Sequence, residues 1–399
     1  MKKTILVLAM FGGLSGDAFA NGSSAKLYGI IDEGVTHFTG VAPDGGAAGQ
    51  TASSTALSGS VQSGSRIGLE GTEDLGNGLS VIYDAETGFC ATGLNQDGNA
   101  GSSTPKSLAG GFCTGGGFMQ RQAWVGMKGQ FGELQMGRMY SLGFMNEAIF
   151  DPFGWGLTGN IGNLSLYGMQ GKDALARTNQ TIQYTAPKMS GLTIAGSYSF
   201  APLSGGTVPT ASGIGLNVTR DWSLNGQYDA GPASVGLNYT RVTNEPFGLS
   251  PAGINDGKMN LWQIYGSWNF GVAKLVGVYE KASGDYASGT TLGAPAGDNR
   301  FWMLGLTVPV GAGVVMASFS EAKVDGNSVF DAAAINGTAK QYALGYSYPL
   351  STRTNLYASY GNVSNDTGTA FASGAADDAF GGVAGQASSG AAVGVRHMF

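Results

Sequence analysis

From about residue 26 onward, apolar side chains recur at every second position in stretches of roughly ten residues. Between the stretches lies either a two-to-four-residue turn or a long run of Gly, Ser, Ala and Asp, and the two kinds of connection alternate. A period of two is that of a β-strand whose faces meet different surroundings. Residues 233–241 are the clearest case: Val235, Leu237 and Tyr239 share one face, and Ser234, Gly236, Asn238 and Thr240 the other. Residues 259–270 repeat it, with Trp262, Ile264, Trp268 and Phe270 opposed to Gln263, Ser267 and Asn269, and the chain ends with Val393, Val395, His397 and Phe399 opposed to Gly394 and Arg396.

The pattern predicts sixteen strands, at 26–39, 64–75, 79–88, 119–129, 133–140, 177–187, 192–200, 219–230, 233–243, 258–270, 273–283, 299–309, 314–324, 338–350, 354–363 and 389–399. Tight-turn signals such as Gly76-Asn77-Gly78 and Gly231-Pro232 fall between paired strands, where Gly and Asn supply positive φ. Short turns alternating with long connections are the layout of a transmembrane barrel. In hydrocarbon no backbone N–H or C=O can be left unpaired, so such a sheet must close on itself. The expected fold is therefore all-β, a 16-stranded antiparallel barrel over residues 21–399 with both termini on the periplasmic side. Tyr28, Trp124, Tyr184, Trp222, Trp268, Trp302 and Tyr348 are candidates for the interfacial girdles.

Composition sharpens this picture. Of 399 residues, 69 are glycine, yet there is no three-residue period, and 16 Tyr, 19 Phe and 6 Trp argue against a disordered chain. Only 12% of residues are charged, although mean hydropathy is near zero, as when apolar and small polar residues are interleaved. Residues 1–20 read as a cleaved secretory signal: Lys2 and Lys3, an apolar run from Ile5 to Leu14, then Ala18-Phe19-Ala20. Removing them leaves 19 basic and 26 acidic residues, a net charge of −7, and no basic stripe suited to nucleic acid. Cys90 and Cys113 sit in one Gly/Ser-rich stretch without the spacing of a zinc site or a CxxC motif. In an oxidising periplasm they can pair and close a loop. Two free thiols are the alternative, and a thiol count under non-reducing conditions separates the two.

The connection at 141–176 differs from the other long ones. It carries Phe144, Met145, Ile149, Phe150, Asp151-Pro152-Phe153, Trp155, Leu164, Leu166 and Tyr167, too apolar for an external loop. The expectation is that it folds into the barrel, narrows the lumen and brings Glu147 and Asp151 near the channel. A loop capping the barrel or packed between subunits is the alternative. Arg66 and Arg177 have the parity of polar neighbours and are expected to face water, since an arginine turned to lipid at mid-depth costs about 2–4 kcal/mol. Arg121 has the parity of Val125 and Met127, and Arg138 that of Leu134 and Met136, so each needs a covering loop or a bulge to reach the lumen.

Several segments resemble the general porins of Gram-negative bacteria, in the branch with neisserial, comamonad and Bordetella/Burkholderia-type members. They are Leu27-Tyr28-Gly29 with Asp32, Ser65-Arg66-Ile67-Gly68 through Gly71-Thr72-Glu73-Asp74-Leu75-Gly76, and Arg121-Gln122-Ala123-Trp124-Val125-Gly126. Phe131-Gly132 leading to Gly137-Arg138, Asp151-Pro152-Phe153-Gly154, Arg177 with Asn179 and Tyr184, and terminal Phe399 complete the set, spread from end to end. The resemblance implies a homotrimer of 16-stranded barrels in outer-membrane lipid and lipopolysaccharide, a third loop in each pore, and a terminal aromatic read by the barrel-assembly machinery. It also implies an eyelet arginine cluster at Arg66, Arg121 and Arg177, with Arg138 nearby, as in anion-preferring members. The Cys pair, the poorly charged loop and the acidic total depart from that pattern. The expected function is passive diffusion of small hydrophilic solutes and ions, with no cofactor, no metal and no catalysis. An outer-membrane hydrolase would need a positioned base, and His37 and His397 are the only histidines, with no GxSxG motif. A substrate-specific channel on the same barrel is the alternative, for which Tyr28, Tyr265 and Tyr346 are the candidate inward aromatics.

Overall fold

The computed structural model describes residues 22–42, 49–89, 91, 119–169, 175–200, 216–247, 257–284, 298–325, 336–376 and 381–399. Residues 1–20, expected to be a signal segment, and both Cys90 and Cys113 lie outside the described residues. The strands are β1 (Ser24–Val41), β2 (Ala52–Gly59), β3 (Arg66–Gly76), β4 (Leu79–Gly88), β5 (Gln122–Gly129), β6 (Gly132–Tyr140), β7 (Arg177–Thr185), β8 (Leu192–Ser199) and β9 (Leu216–Ala230). They continue as β10 (Ala233–Phe247), β11 (Gly257–Asn269), β12 (Lys274–Gly284), β13 (Asn299–Val310), β14 (Gly313–Asp325), β15 (Asn336–Pro349), β16 (Thr354–Asn365) and β17 (Ser388–Met398). Each pairs antiparallel with its neighbour, and β17 returns to β1 in register from Ile30↔Met398 to Thr39↔Ser389.

β2 and β3 both lie along β1, β2 beside 33–41 and β3 beside 24–30, so together they fill one place in the wall and sixteen places close the barrel. The predicted strand 64–75 is thus the second half of an interrupted one. The interruption, residues 60–65, turns inward because Asp32 holds it. The Asp32 carbonyl accepts from Ser60 N–H at 2.7 Å, and its carboxylate accepts from Gln62 and Ser63 N–H at 2.8 and 2.6 Å.

Alternation sets the two faces. Leu224, Val235, Leu237, Ile264, Leu304 and Leu344 are exposed on the outer face, while Asn225, Asn238 and Gln263 are buried on the inner one. Of the girdle candidates, Tyr184, Trp222, Trp268 and Tyr348 are exposed on the outer face, and Trp262 stands there with them. Tyr28 and Trp124 do not: Tyr28 donates to Asp84 and Glu86, and Trp124 to Gln122, inside the barrel. Tyr28 lies over Gly68, where any Cβ would sit 2.4 Å from its ring, and Phe399 lies over Gly29 in the same way, at 2.2 Å. These glycines are berths for rings.

The connection from β6 to β7 enters the lumen. Ser141 caps helix α1 (Leu142–Phe150) by accepting from Phe144 N–H at 3.3 Å. A 3-10 turn (Ile161–Asn163) and a short helix α2 (Leu166–Met169) follow. Asn146 donates to Asn225 and Gln263 at 3.0 and 2.9 Å, Asn163 to Gln341 at 2.9 Å, Thr158 to Ser359 at 2.9 Å, and Leu166 N–H to Glu280 at 2.9 Å. Those wall partners are buried on the inner face. Between them, Phe150, Trp155, Ile161, Leu164, Leu166 and Tyr167 pack on Leu261, Tyr265, Val276, Val278, Phe301 and Met303. The hydrophobic core therefore lies inside the barrel, between loop and wall. A segment after β16 joins it: Asn160 donates to the Gly374 carbonyl at 3.0 Å, and Ala376 N–H to that of Val61 at 3.2 Å.

Candidate functional site: the lumen aperture

The aperture lies where the inward turn 60–65, the first strands and the loop converge. Gln62, Ser63, Gly64, Arg66, Arg121 and Tyr140 line it on the wall side, and Phe144, Met145, Ala148, Gly154 and Trp155 on the loop side. Its organising group is Glu86 on β4. One Glu86 oxygen accepts from Arg121 Nε at 2.6 Å, and the other from Arg66 Nε at 3.0 Å and from the Tyr28 hydroxyl at 3.1 Å. Arg121 Nη2 and Arg177 Nη2 both donate to the Tyr140 hydroxyl oxygen, at 2.6 and 3.0 Å, and the Arg177 guanidinium lies 4.6 Å from the centre of the Tyr140 ring.

Three of the sequence candidates, Arg66, Arg121 and Arg177, are thus brought together. Arg121 escapes the parity argument because it precedes β5; its N–H bonds the Glu86 carbonyl at 3.1 Å and its side chain turns in. Arg138 takes other partners. It stands opposite Ala123, on the parity of exposed Val125 and Met127, and donates to the Gln120 carbonyl and to Asn179.

Glu147 and Asp151 enter the lumen with the loop, but the structure places both within the core rather than on the channel. Asp151 accepts from the N–H groups of Phe153, Trp155 and Ile161 at 3.0, 2.9 and 3.0 Å, holding the turn after α1. Burial pushes its carboxyl up to about 6 against those three donors. Glu147 is fully buried, accepts from Trp155 Nε1 at 2.6 Å and Ser165 Oγ at 3.0 Å, and is within hydrogen-bonding reach of Glu280. Burial, and then the Glu280 carboxyl, raise it well above the ordinary glutamate range, so the pair holds a proton between them. The loop face turned to the aperture is consequently apolar: Met145 and Ala148, with no carboxylate among its lining residues.

Sequence reasoning missed Glu86, Tyr140 and Arg396. Glu86 has the inner parity of Asp84 on β4, a signal that was available. Arg396 donates to Ser63 at 2.9 Å and Asn355 at 3.1 Å, extending the basic face along β17. Tyr140 had no signal, because its position depends on a register shift between β6 and β7 near Gly137. Tyr28, Tyr265 and Tyr346 form no common track: Tyr265 is buried under the loop, bonded to Asn225, and Tyr346 has the outer parity of Tyr342 and Leu344. His37 and His397 each bond a threonine, Thr55 and Thr354, on the outer face.

A closed sixteen-place barrel with a loop seated in its bore and arginines gathered between loop and wall defines a channel protein. The chain matches the Gram-negative porin family over residues 4–368 and belongs to that family. It is 30% identical to an outer membrane porin protein of Bordetella pertussis and 31% identical to outer membrane porin protein 32 of Delftia acidovorans, in each case across 100% of both chains. Among solved structures, the anion-selective porin from Comamonas acidovorans superposes with a TM-score of 0.70 at 28% identity, covering 94% of this chain and 100% of that one. The protein is a multi-pass β-barrel of the outer membrane whose water-filled channel passes small hydrophilic solutes by passive diffusion.

Proposed function

We propose that this channel prefers anions, works as a homotrimer and carries out no catalytic step. The observation that carries the preference is the gathering of three guanidiniums, Arg66 and Arg121 on Glu86 and Arg121 and Arg177 on Tyr140, across from an apolar loop face. A net positive rim at a narrow, low-dielectric passage raises the local concentration of anions and repels cations. The net charge of −7 is spread over the whole mature chain and does not bear on this point. The likeness to an anion-selective porin supports the same reading. For the trimer, the support is the uneven outer face: Trp222, Trp262, Trp268 and Trp302 stand on β9 to β13, and among the described residues no tryptophan stands outward on β1 to β8, where Glu33 and Arg138 hold outward parity. Charged groups at membrane depth belong against protein rather than lipid. The surrounding partners are then outer-membrane lipid and lipopolysaccharide, and Phe399 is the residue offered to the barrel-assembly machinery.

The test is the reversal potential of single channels in a potassium chloride gradient. Anion preference is expected in the wild type, reduced in Arg66→Ala and Arg177→Ala. Cation preference in the wild-type channel overturns the proposal.

A further inference from the structure

Tyr140 is not charged, yet two guanidiniums end on it: that of Arg121, which lines the aperture, and that of Arg177, which was expected to face water but is buried behind it. We infer that Tyr140 is a specificity-determining residue of the channel, positioning Arg121 and Arg177 by accepting from both on one phenol oxygen; the inference rests on the anion preference proposed above. Two like charges this close repel each other, and each needs an acceptor to stay. Arg121 has a second anchor, its Nε on Glu86 at 2.6 Å. Arg177 meets both the Tyr140 hydroxyl and the face of the same ring, so Tyr140 touches it in two ways.

The ring is itself fixed from the loop. Tyr140 stacks on Phe144 with centroids 5.1 Å apart and planes 13° from parallel, Phe144 packs on Trp155 at 4.8 Å, and Trp155 donates to buried Glu147 at 2.6 Å. The seat of the loop thereby sets the position of the phenol oxygen, and the oxygen sets the two guanidiniums. With those two donors on its oxygen, Tyr140 keeps one polar group, its O–H, and Tyr140 lines the aperture. That O–H is a donor for a passing oxyanion, a carboxylate or phosphate, beside the arginine charges.

Tyr140→Phe keeps the ring and its stacking and removes only the oxygen. In planar bilayers under a salt gradient it is expected to lower the chloride-to-potassium permeability ratio several-fold, with neutral-sugar flux as the reference for aperture size and heat-modifiable gel migration as the check on folding. Tyr140→His, whose neutral ring offers one acceptor nitrogen for two donors, is expected to fall between Phe and the wild type, and serves alone if the Phe variant does not assemble. A folded variant of either kind with the wild-type permeability ratio overturns the inference. A wild-type channel without anion preference overturns the preceding proposal as well, which tells the two failures apart.

Discussion

The two halves of the inner wall solve opposite problems. From β10 to β15 the inner face is covered: Val242, Leu261, Val278, Phe301 and Ala322, with Gln263, Glu280 and Gln341 among them as hydrogen-bond partners, carry the loop like a second layer. From β3 to β7 the inner face carries Arg66, Asp84, Glu86 and Gln122, and the water path runs against it. A barrel interior is therefore not uniformly wet. The plated half supplies rigidity by ordinary burial, and the bare half supplies charge. The aperture lies where the two meet, so its width is set by one and its field by the other.

The sharpest way to break this contrast is to unseat the plating. Phe150 is buried in the core and packs on Tyr265 with centroids 4.7 Å apart. Phe150→Ala is expected to weaken the seat of the loop by about 3–5 kcal/mol, the usual loss for a core Phe→Ala. Liposome swelling should then show passage of larger sugars than the wild type admits, and unchanged sieving would mean the loop is held by other means.

A smaller effect follows from pH. Glu147 is raised in the folded state, so it holds a proton there that the unfolded chain releases near the ordinary glutamate value. Its contribution is fully present below that value and is lost as pH rises through the raised one. Asp151, at about 6, works in the same direction between its ordinary value near 4 and that point. The loop should loosen as pH rises and hold as pH falls, read as growing current noise on the alkaline side. Glu147→Gln, neutral at every pH, should flatten the dependence. Noise that grows on acidification instead would reverse the assignment.

The smallest expected change in stability is on the bare half. Arg66 is partly exposed, with 24% of its side chain open to solvent, and Glu86 keeps Arg121 and Tyr28 as partners when Arg66 is removed. Arg66→Ala should leave thermal unfolding nearly where it was while altering selectivity. A large loss of stability would mean that the bare half also bears structural load.

Much of this was legible in the chain. Val235, Leu237 and Tyr239 against Ser234, Asn238 and Thr240 gave the faces of β10, because a strand cannot place neighbours on the same side. The apolar residues of 141–176 required a covered loop, since water would not hold them. What alternation could not supply was any feature made by breaking it. The inward turn at 60–65 is written as Ser60-Val61-Gln62-Ser63-Gly64-Ser65, which reads as a generic loop until Asp32 is seen holding it. Arg121 faces inward only because it lies outside a strand. Glu147 and Asp151 were expected on the channel from their charge and their loop, but a buried loop core can use carboxylates as acceptors for its own donors, as Asp151 does for three backbone N–H groups.

The seam between first and last strands governs how the molecule comes into being. Gly29 and Phe399 exchange both of their backbone hydrogen bonds, each 3.1 Å long, so the ring of strands is sealed at Phe399. No partial product can make that contact, however long it waits. Each newly exported polypeptide must be kept from premature aggregation until Phe399 has arrived. Pairing partners 370 positions apart also makes this among the most entropically demanding contacts of the assembly.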